Sequence, residues 1–332
     1  MTRLIVTVYL FSLLAGLATA QEQKLQRLNV VWSTIGGTTS SLWVTKDTGI
    51  FAKYGLDVQL ILILASTRAA SSIIAGDVDI GLIGSTAPVL ARLAGSDLVV
   101  IGNSTTHAIF SLMTHPSITE ISQLRGKTLK TLGVVRFGSV SDIGLQHALR
   151  NINIDPNRDV KLLQIGGIGE MLAAMKAGGI QGGLFPPPLS GDAKQLGFRE
   201  LMDPERVNLK FAQSHLSVRQ AYLKENSDTV RRFMKAWIEG IHYMKTHKDF
   251  TLNVLRKHTK SEDPSALEET YRIFAMKYLP PAPYPTEESV KTILELIASS
   301  QPKAKTAEPK DFIDPSWVRE LEENGFIKTL YR

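Results

Sequence analysis

The chain of 332 residues contains no cysteine. That excludes disulfides, an acylated N-terminal Cys as a lipid anchor, thiolate metal sites and a cysteine nucleophile. Charge of one sign is not concentrated anywhere. The 38 basic and 32 acidic residues leave a net +6, and no Lys/Arg run is interleaved with aromatics. Nucleic acid is therefore excluded as a partner. Long apolar runs are missing beyond the N-terminus, so no transmembrane helix is expected there. The seven histidines include no HExxH, and His242 and His247, five apart, do not share a helix face. No metal site is expected, and no nucleophile elbow is present.

Two motifs are incomplete. Gly126-Lys127-Thr128 is half a phosphate loop, because Ile121 stands where the first glycine belongs and a strand follows instead of a helix. Gly167-Ile168-Gly169 opens like a dinucleotide fingerprint, but Leu172 holds the third glycine position. No cofactor is expected.

What remains is an ordinary globular balance, 43% hydrophobic and 21% charged, in a chain long enough for two cores. The N-terminus reads as a secretory signal: Arg3, an apolar run from Leu4 to Leu17, then Ala18-Thr19-Ala20 before Gln21. Cleavage is expected after Ala20, releasing a disulfide-free protein into a periplasm.

The most informative feature is a repeat. Ala75-Gly76-Asp77-Val78-Asp79-Ile80-Gly81-Leu82-Ile83-Gly84 is echoed 102 residues later by Ala177-Gly178-Gly179-Ile180-Gln181-Gly182-Gly183-Leu184-Phe185-Pro186. Asp57-Val58-Gln59-Leu60 returns at the same offset as Asp159-Val160-Lys161-Leu162. Apolar strand-like runs alternate with helical patterns in both copies, which implies parallel sheets with crossover helices.

In the first copy, strands are expected at 28–32, 56–63, 78–83 and 98–101. A helix spans 42–54, and further helices are capped by Ser66 and Ser85. A strand over 108–113 closes this lobe. In the second copy, strands fall at 129–135, 160–165 and 182–185, with Ser139 or Ser141 capping a helix. Phe211 to Val218 reads as a strand returning to the first lobe. Beyond it Val230, Phe233, Met234, Trp237, Ile241 and Met244 form one apolar helical stripe, read as core. The segment Lys303 to Lys310 is polar and expected to be mobile. Trp317, Leu321 and Phe326 predict a short docking helix.

The predicted organisation is thus α/β. Residues 1–20 are the signal, 24–115 with 217–332 make lobe one, and 120–212 make lobe two. A two-crossing hinge is placed near 114–120 and 210–218, with a ligand cleft between the lobes.

Several segments carry a resemblance. Asp47-Thr48-Gly49-Ile50-Phe51-Ala52-Lys53-Tyr54-Gly55-Leu56-Asp57-Val58, Ala75 to Ile80, Leu124-Arg125-Gly126-Lys127-Thr128-Leu129 and Phe137-Gly138-Ser139 are similar to signatures of periplasmic substrate-binding proteins of the nitrate/taurine/sulfonate type. That group also includes binders of thiamine-precursor pyrimidines and riboflavin. The resemblance covers about 28–245. It implies a type II periplasmic binding protein fold, a small-molecule ligand, an ABC permease and ATPase as partners, and no catalytic residues. The chain departs from the pattern at Gln181, where an Asp is usual, and at Pro186-Pro187-Pro188. This asymmetry between the copies marks where ligand specificity is sought.

Ligands in open α/β sheets sit at strand carboxyl ends beside helix N-termini. The candidates are Ser33, Thr34 and Thr38; Ser66; Gly84, Ser85 and Thr86; Gly138 and Ser139; and Ser104. Trp32 and Phe185 are candidates for stacking on a flat ligand. A small anion such as a sulfonate or carboxylate is the expected cargo of an expected monomer. Alternatives are a flat heteroaromatic, a sensory binding protein, and a pyrimidine-synthase-like enzyme on the same fold, the last disfavoured by the absence of cysteine.

Overall fold

The structure, a computed structural model, describes residues 25–125 and 129–332. The expected signal segment and the Gly126-Lys127-Thr128 stretch lie outside the described residues. The chain opens with β1 (Gln26–Trp32), α1 (Ser40–Asp47), α2 (Ile50–Lys53), β2 (Leu56–Leu62), α3 (Ser66–Ala75), β3 (Ile80–Gly84), α4 (Thr86–Leu93) and β4 (Leu98–Asn103). The helix expected over 42–54 is two helices. Thr48 ends the first, and Gly49 at φ +76°, a left-handed conformation that favours glycine, starts the second.

The next elements are β5 (Ser111–Thr114), β6 (Lys130–Val134), α5 (Val140–Asn151), β7 (Val160–Gln164), α6 (Ile168–Lys176), β8 (Gly182–Phe185), α7 (Leu189–Gln195), β9 (Arg199–Met202) and α8 (Pro204–Val207). Then β10 (Ser214–Arg219) leads into α9 (Gln220–Glu225), α10 (Ser227–Thr246), α11 (Lys248–Thr259), α12 (Pro264–Tyr271), α13 (Glu287–Ile297), α14 (Ser316–Glu323) and α15 (Phe326–Leu330). Two five-stranded sheets result, ordered β2-β1-β3-β10-β4 and β7-β6-β8-β5-β9. In each, the fourth strand runs antiparallel to its neighbours.

The 102-residue echo is a repeat of register. Val30 stands beside Leu60 on one side and Ile80 on the other. Leu132 stands beside Leu162 and Gly182, each 102 positions later. The close helix approach repeats too: a Cβ at Gly81 would come within 2.5 Å of Ile73, and one at Gly183 within 2.5 Å of Met171.

The lobe boundary is corrected by pairing. The strand expected over 108–113 begins at Ser111 and belongs to the second sheet, where β5 pairs with β8 and β9. The first crossing is therefore 104–110, not 114–120. The second ends where β10 joins the first sheet at Ser214. An isolated antiparallel bridge between Ala108 and Leu209 ties the two crossings together.

The helical stripe on α10 is core as read: Val230, Phe233, Met234, Trp237, Ile241 and Met244 are all fully buried against the first sheet. Burial of each large side chain stabilises the fold by roughly 1.5–3 kcal/mol. The C-terminal third does not belong to lobe one alone. Val290, Ile293, Leu294 and Ile297 of α13 pack in the same cluster as Val89 of α4 and Leu145 and Leu149 of α5. The 303–310 segment is not a free polar loop, because two short 3-10 turns bury Ala304 and Phe312, and Ile313 bridges to Val100.

The lobes meet around the cleft. Thr86 Oγ1 donates to the Gly138 carbonyl at 2.8 Å, and the Gly37 amide donates to the Pro187 carbonyl at 3.1 Å. On α7, Asp192 Oδ1 accepts from Ser261 Oγ at 2.6 Å, and burial raises the Asp192 carboxyl above its usual range. This is a closed arrangement.

Candidate functional site

Between the lobes lies a cavity with about 40 Å³ open to the centre of a water molecule. That is room for on the order of three water-sized occupants, so the closed form suits a ligand of a few heavy atoms. Its wall follows the strand carboxyl ends. Ser33 and Thr34 come after β1, Leu64, Ala65 and Ser66 after β2, and Gly84 ends β3. From the second lobe come Val135 after β6 and Gly167, Ile168 and Gly169 after β7. Ser139, Val140 and Ser141 add the start of α5.

Three helices, α3, α5 and α6, thus turn their first residues to the cavity. Their leading amides have no partner inside the helix and carry the positive end of the dipole. Among the described residues no Lys or Arg lines the cavity, and the one charged residue there, Glu170, is exposed. The hydroxyls are arranged to donate. Ser33 Oγ accepts from the Gly84 amide at 3.2 Å, and Ser141 Oγ accepts from the Val135 amide at 3.0 Å. Ser139 Oγ and Ser141 Oγ share a bond at 2.9 Å. The site therefore supplies neutral hydrogen-bond donors beside helix N-termini, a setting for an anion that needs no buried cation.

Of the residues singled out in the sequence, Ser33, Thr34, Ser66, Gly84 and Ser139 line the cavity. The other seven do not. Trp32 packs edge-on to Trp43 at 5.2 Å in the first core, and Phe185 is fully buried in a core of the second lobe. Neither can stack on a ligand, because each completes the apolar layer beneath its strand. Thr38 Oγ1 and Ser104 Oγ bond each other at 2.7 Å and both reach Ser214, forming a hydroxyl knot between the turn after β1 and the crossings. Thr86 and Gly138 bond each other across the lobes. Ser85 precedes α4 but makes no side-chain cap; its Oγ has no partner among the described residues, and its amide donates to the Gln213 carbonyl at 3.2 Å. Ser66 is the first residue of α3 rather than its cap, a position held by Ala65 at φ +72°.

The sequence reading missed half of the wall. Ala65 and Ser66 have Gly167 and Ile168 as counterparts 102 residues on, and Ser33 has Val135. Carrying the offset through every candidate loop finds them. Phe110 and Gln213 also line the cavity, from the two crossings. Neither has a counterpart under the offset, so no sequence signal marks them.

The departure at Gln181 proves structural. Asp79 Oδ2 accepts from the Asn29 amide at 2.8 Å, and Gln181 Oε1 accepts from the Thr131 amide at 2.9 Å. The two side chains do the same work at the amino ends of β3 and β8, away from the cavity. A second hollow, of about 300 Å³, lies between the crossings and the loop bearing Pro280, with His107, Lys210 and Glu288 in its wall. It takes nothing from the strand ends of the second lobe.

Among the described residues, no helix is long and apolar enough to cross a membrane. A family model described as NMT1/THI5 like matches residues 38–249. YtlA of Bacillus subtilis, named as a candidate binding protein, is 26% identical over 268 residues, covering 78% of each chain. The alkanesulfonate-binding protein SsuA of Xanthomonas axonopodis pv. citri, bound to MOPS, superposes with a TM-score of 0.73 at 17% identity, covering 88% of this chain and 99% of that one. The periplasmic nitrate-binding protein NrtA of Synechocystis PCC 6803 superposes with a TM-score of 0.75 at 11% identity, covering 91% and 89%. At these identities the structural likeness establishes the fold, that of the periplasmic binding proteins.

Proposed function

The chain belongs to the NMT1/THI5-like family, and on that premise we propose that it is the solute-binding component of an ABC importer, capturing a small organic anion between its lobes. The observation that carries the reading is a cavity that combines hydroxyls and helix N-termini with aliphatic side chains. Lobe one presents the hydroxyls of Ser33, Thr34 and Ser66 beside Ile35 and Leu64. Lobe two presents Val135, Val140 and Ile168 beside Ser139 and Ser141. An oxyanion head satisfies the donors and helix N-termini, and a short apolar tail lies against the aliphatic wall. A bare inorganic oxyanion leaves that wall uncovered.

A ligand touching both lobes favours the closed form by the difference in its contacts with the two states. The closed monomer is then the form offered to a permease and its ATPase. Export to the periplasm by the N-terminal signal accords with this role, as does binding without turnover. The flat-heteroaromatic reading has weaker support, since Trp32 and Phe185 are both committed to cores.

The test is isothermal titration calorimetry of the protein lacking residues 1–20. Methanesulfonate and acetate are expected to bind at least about 10-fold tighter than nitrate, from burial of a methyl group and the fit around it. Binding of uracil with no response to any anion would overturn the reading.

A further inference from the structure

The second crossing carries a buried amide whose hydrogen-bond roles are fixed by its neighbours. Gln213 is 2% exposed and lines the cavity. Its Oε1 accepts from the Ile109 amide at 2.9 Å. An amide N–H requires an acceptor, so the side chain is held with oxygen toward Ile109 and nitrogen away from it. Nε2 is buried and has no hydrogen-bond partner among the described residues. The backbone of the same residue is also engaged: its N–H donates to Thr105 Oγ1 at 3.0 Å, and its carbonyl accepts from the Ser85 amide. Gln213 is therefore bonded to the first crossing twice and to the start of α4 once, and it cannot turn to present its oxygen without orphaning the Ile109 amide.

We propose that Gln213 determines ligand specificity, donating its side-chain N–H to an oxygen of the bound anion and linking that bond to both crossings of the hinge. The proposal rests on the anion-binding reading above and adds a residue that it does not require. A buried donor with no partner is costly, and a ligand acceptor removes that cost. A donor group in the ligand, such as an ammonium, meets a second donor and is refused. Because the amide is tied to Ile109 and Thr105, the ligand's grip on Nε2 restrains the crossings as well as the wall.

The experiment uses methanesulfonate, which stays ionised throughout the range tested, and the variant Gln213→Glu. Glutamate keeps an oxygen for the Ile109 amide and replaces the donor with a charged acceptor. At pH 8 the variant is expected to bind at least about 100-fold more weakly than the native protein, from like-charge repulsion and the lost donor. Affinity should then recover as pH falls toward 4.5, because a protonated carboxyl regains an O–H to donate. A buried carboxylate also strains the fold at pH 8, so the rescue is read only where the variant is folded at both pH values. Gln213→Asn, which retracts the amide from the cavity, provides a neutral check and should lose about 10-fold. Circular dichroism establishes that each variant is folded. If a folded variant binds methanesulfonate within about 3-fold of the native protein at pH 8, the role of Gln213 is overturned while the anion reading stands. If the native protein itself binds none of methanesulfonate, acetate or nitrate, both fall.

Discussion

Ser33 and Val135 occupy the same place in the two lobes, 102 residues apart, and both face the cavity. So do Ser66 and Ile168. Asp79 and Gln181 are likewise equivalent, but at the other end of their sheets, where they accept the same backbone bond. The lobes have diverged at both ends, with different consequences. At the amino end of the strands the residue type changed and the bond was kept. At the carboxyl end a hydroxyl on one side answers a branched aliphatic on the other. The chemical contrast that selects a ligand lies in the second group. The echo that is conspicuous in the sequence spans the strand between, and its most visible difference is the one that does not touch the cavity.

Acid separates the lobes most strongly. His215 on β10 stands opposite Ile83, as Ser111 on β5 stands opposite Phe185. Burial pulls the His215 imidazole down to about 3, and the ring stays neutral in the folded protein. Below pH 6.5 the unfolded chain takes up a proton that the folded state refuses, so stability rises with pH across the interval from about 3 to 6.5. Between pH 6.5 and 4.5 this group alone removes roughly 2 kcal/mol. Urea unfolding of His215→Gln against the native protein should show a shallower loss. An equal slope would mean that His215 is not the buried neutral group of lobe one.

Exchanging wall residues between lobes comes next. Ser33→Val copies Val135 onto lobe one, removes a donor from the cavity and strands the Gly84 amide. Methanesulfonate affinity should fall about 100-fold by calorimetry. The reverse exchange, Val135→Ser, loses only apolar contact and should cost about 10-fold or less. If the two changes cost the same, Ser33 and Val135 do not contribute differently to the ligand.

The amino-end pair gives a smaller effect. Asp79→Gln installs the residue that already serves lobe two and should change stability by less than about 1 kcal/mol, whereas Asp79→Leu leaves the Asn29 amide unpaired and should cost about 1–3 kcal/mol. Ligand affinity should be unchanged in both. A loss of affinity in Asp79→Gln would return specificity to this pair. The smallest effect is expected at the contact between lobes. Thr86→Val removes the bond to the Gly138 carbonyl and should shift the open–closed balance by about 1 kcal/mol, read as a larger radius of gyration without ligand.

The two lobes, the parallel strands that begin each sheet, the α10 core stripe and the family were legible in the sequence, whereas the antiparallel fourth strand of each sheet was not. Periodicity and a fixed offset are properties of the chain itself. The offset also held the unread half of the cavity wall, since Ser66 points to Ile168. What misled was local chemistry read without partners. Ser85 precedes a helix, a position that suggests a cap and a ligand contact, yet its hydroxyl has no partner among the described residues. Trp32 and Phe185 are aromatic residues near strand ends, and only packing decides which side of the sheet they cover. The strand at 111–114 looks like any apolar run, and its lobe was decided by which edge was free to pair with it.

By itself the sequence determined which segments form strands and helices and that they do so twice, because those choices depend on residues close along the chain. Tertiary structure decided what closes the cavity. Gln213 and Phe110 reach it from the two crossings, and the orientation of the Gln213 amide is set by Ile109, 104 residues away. Hydrogen-bond direction belongs to pairs of groups, and no pattern along one segment specifies a partner from another.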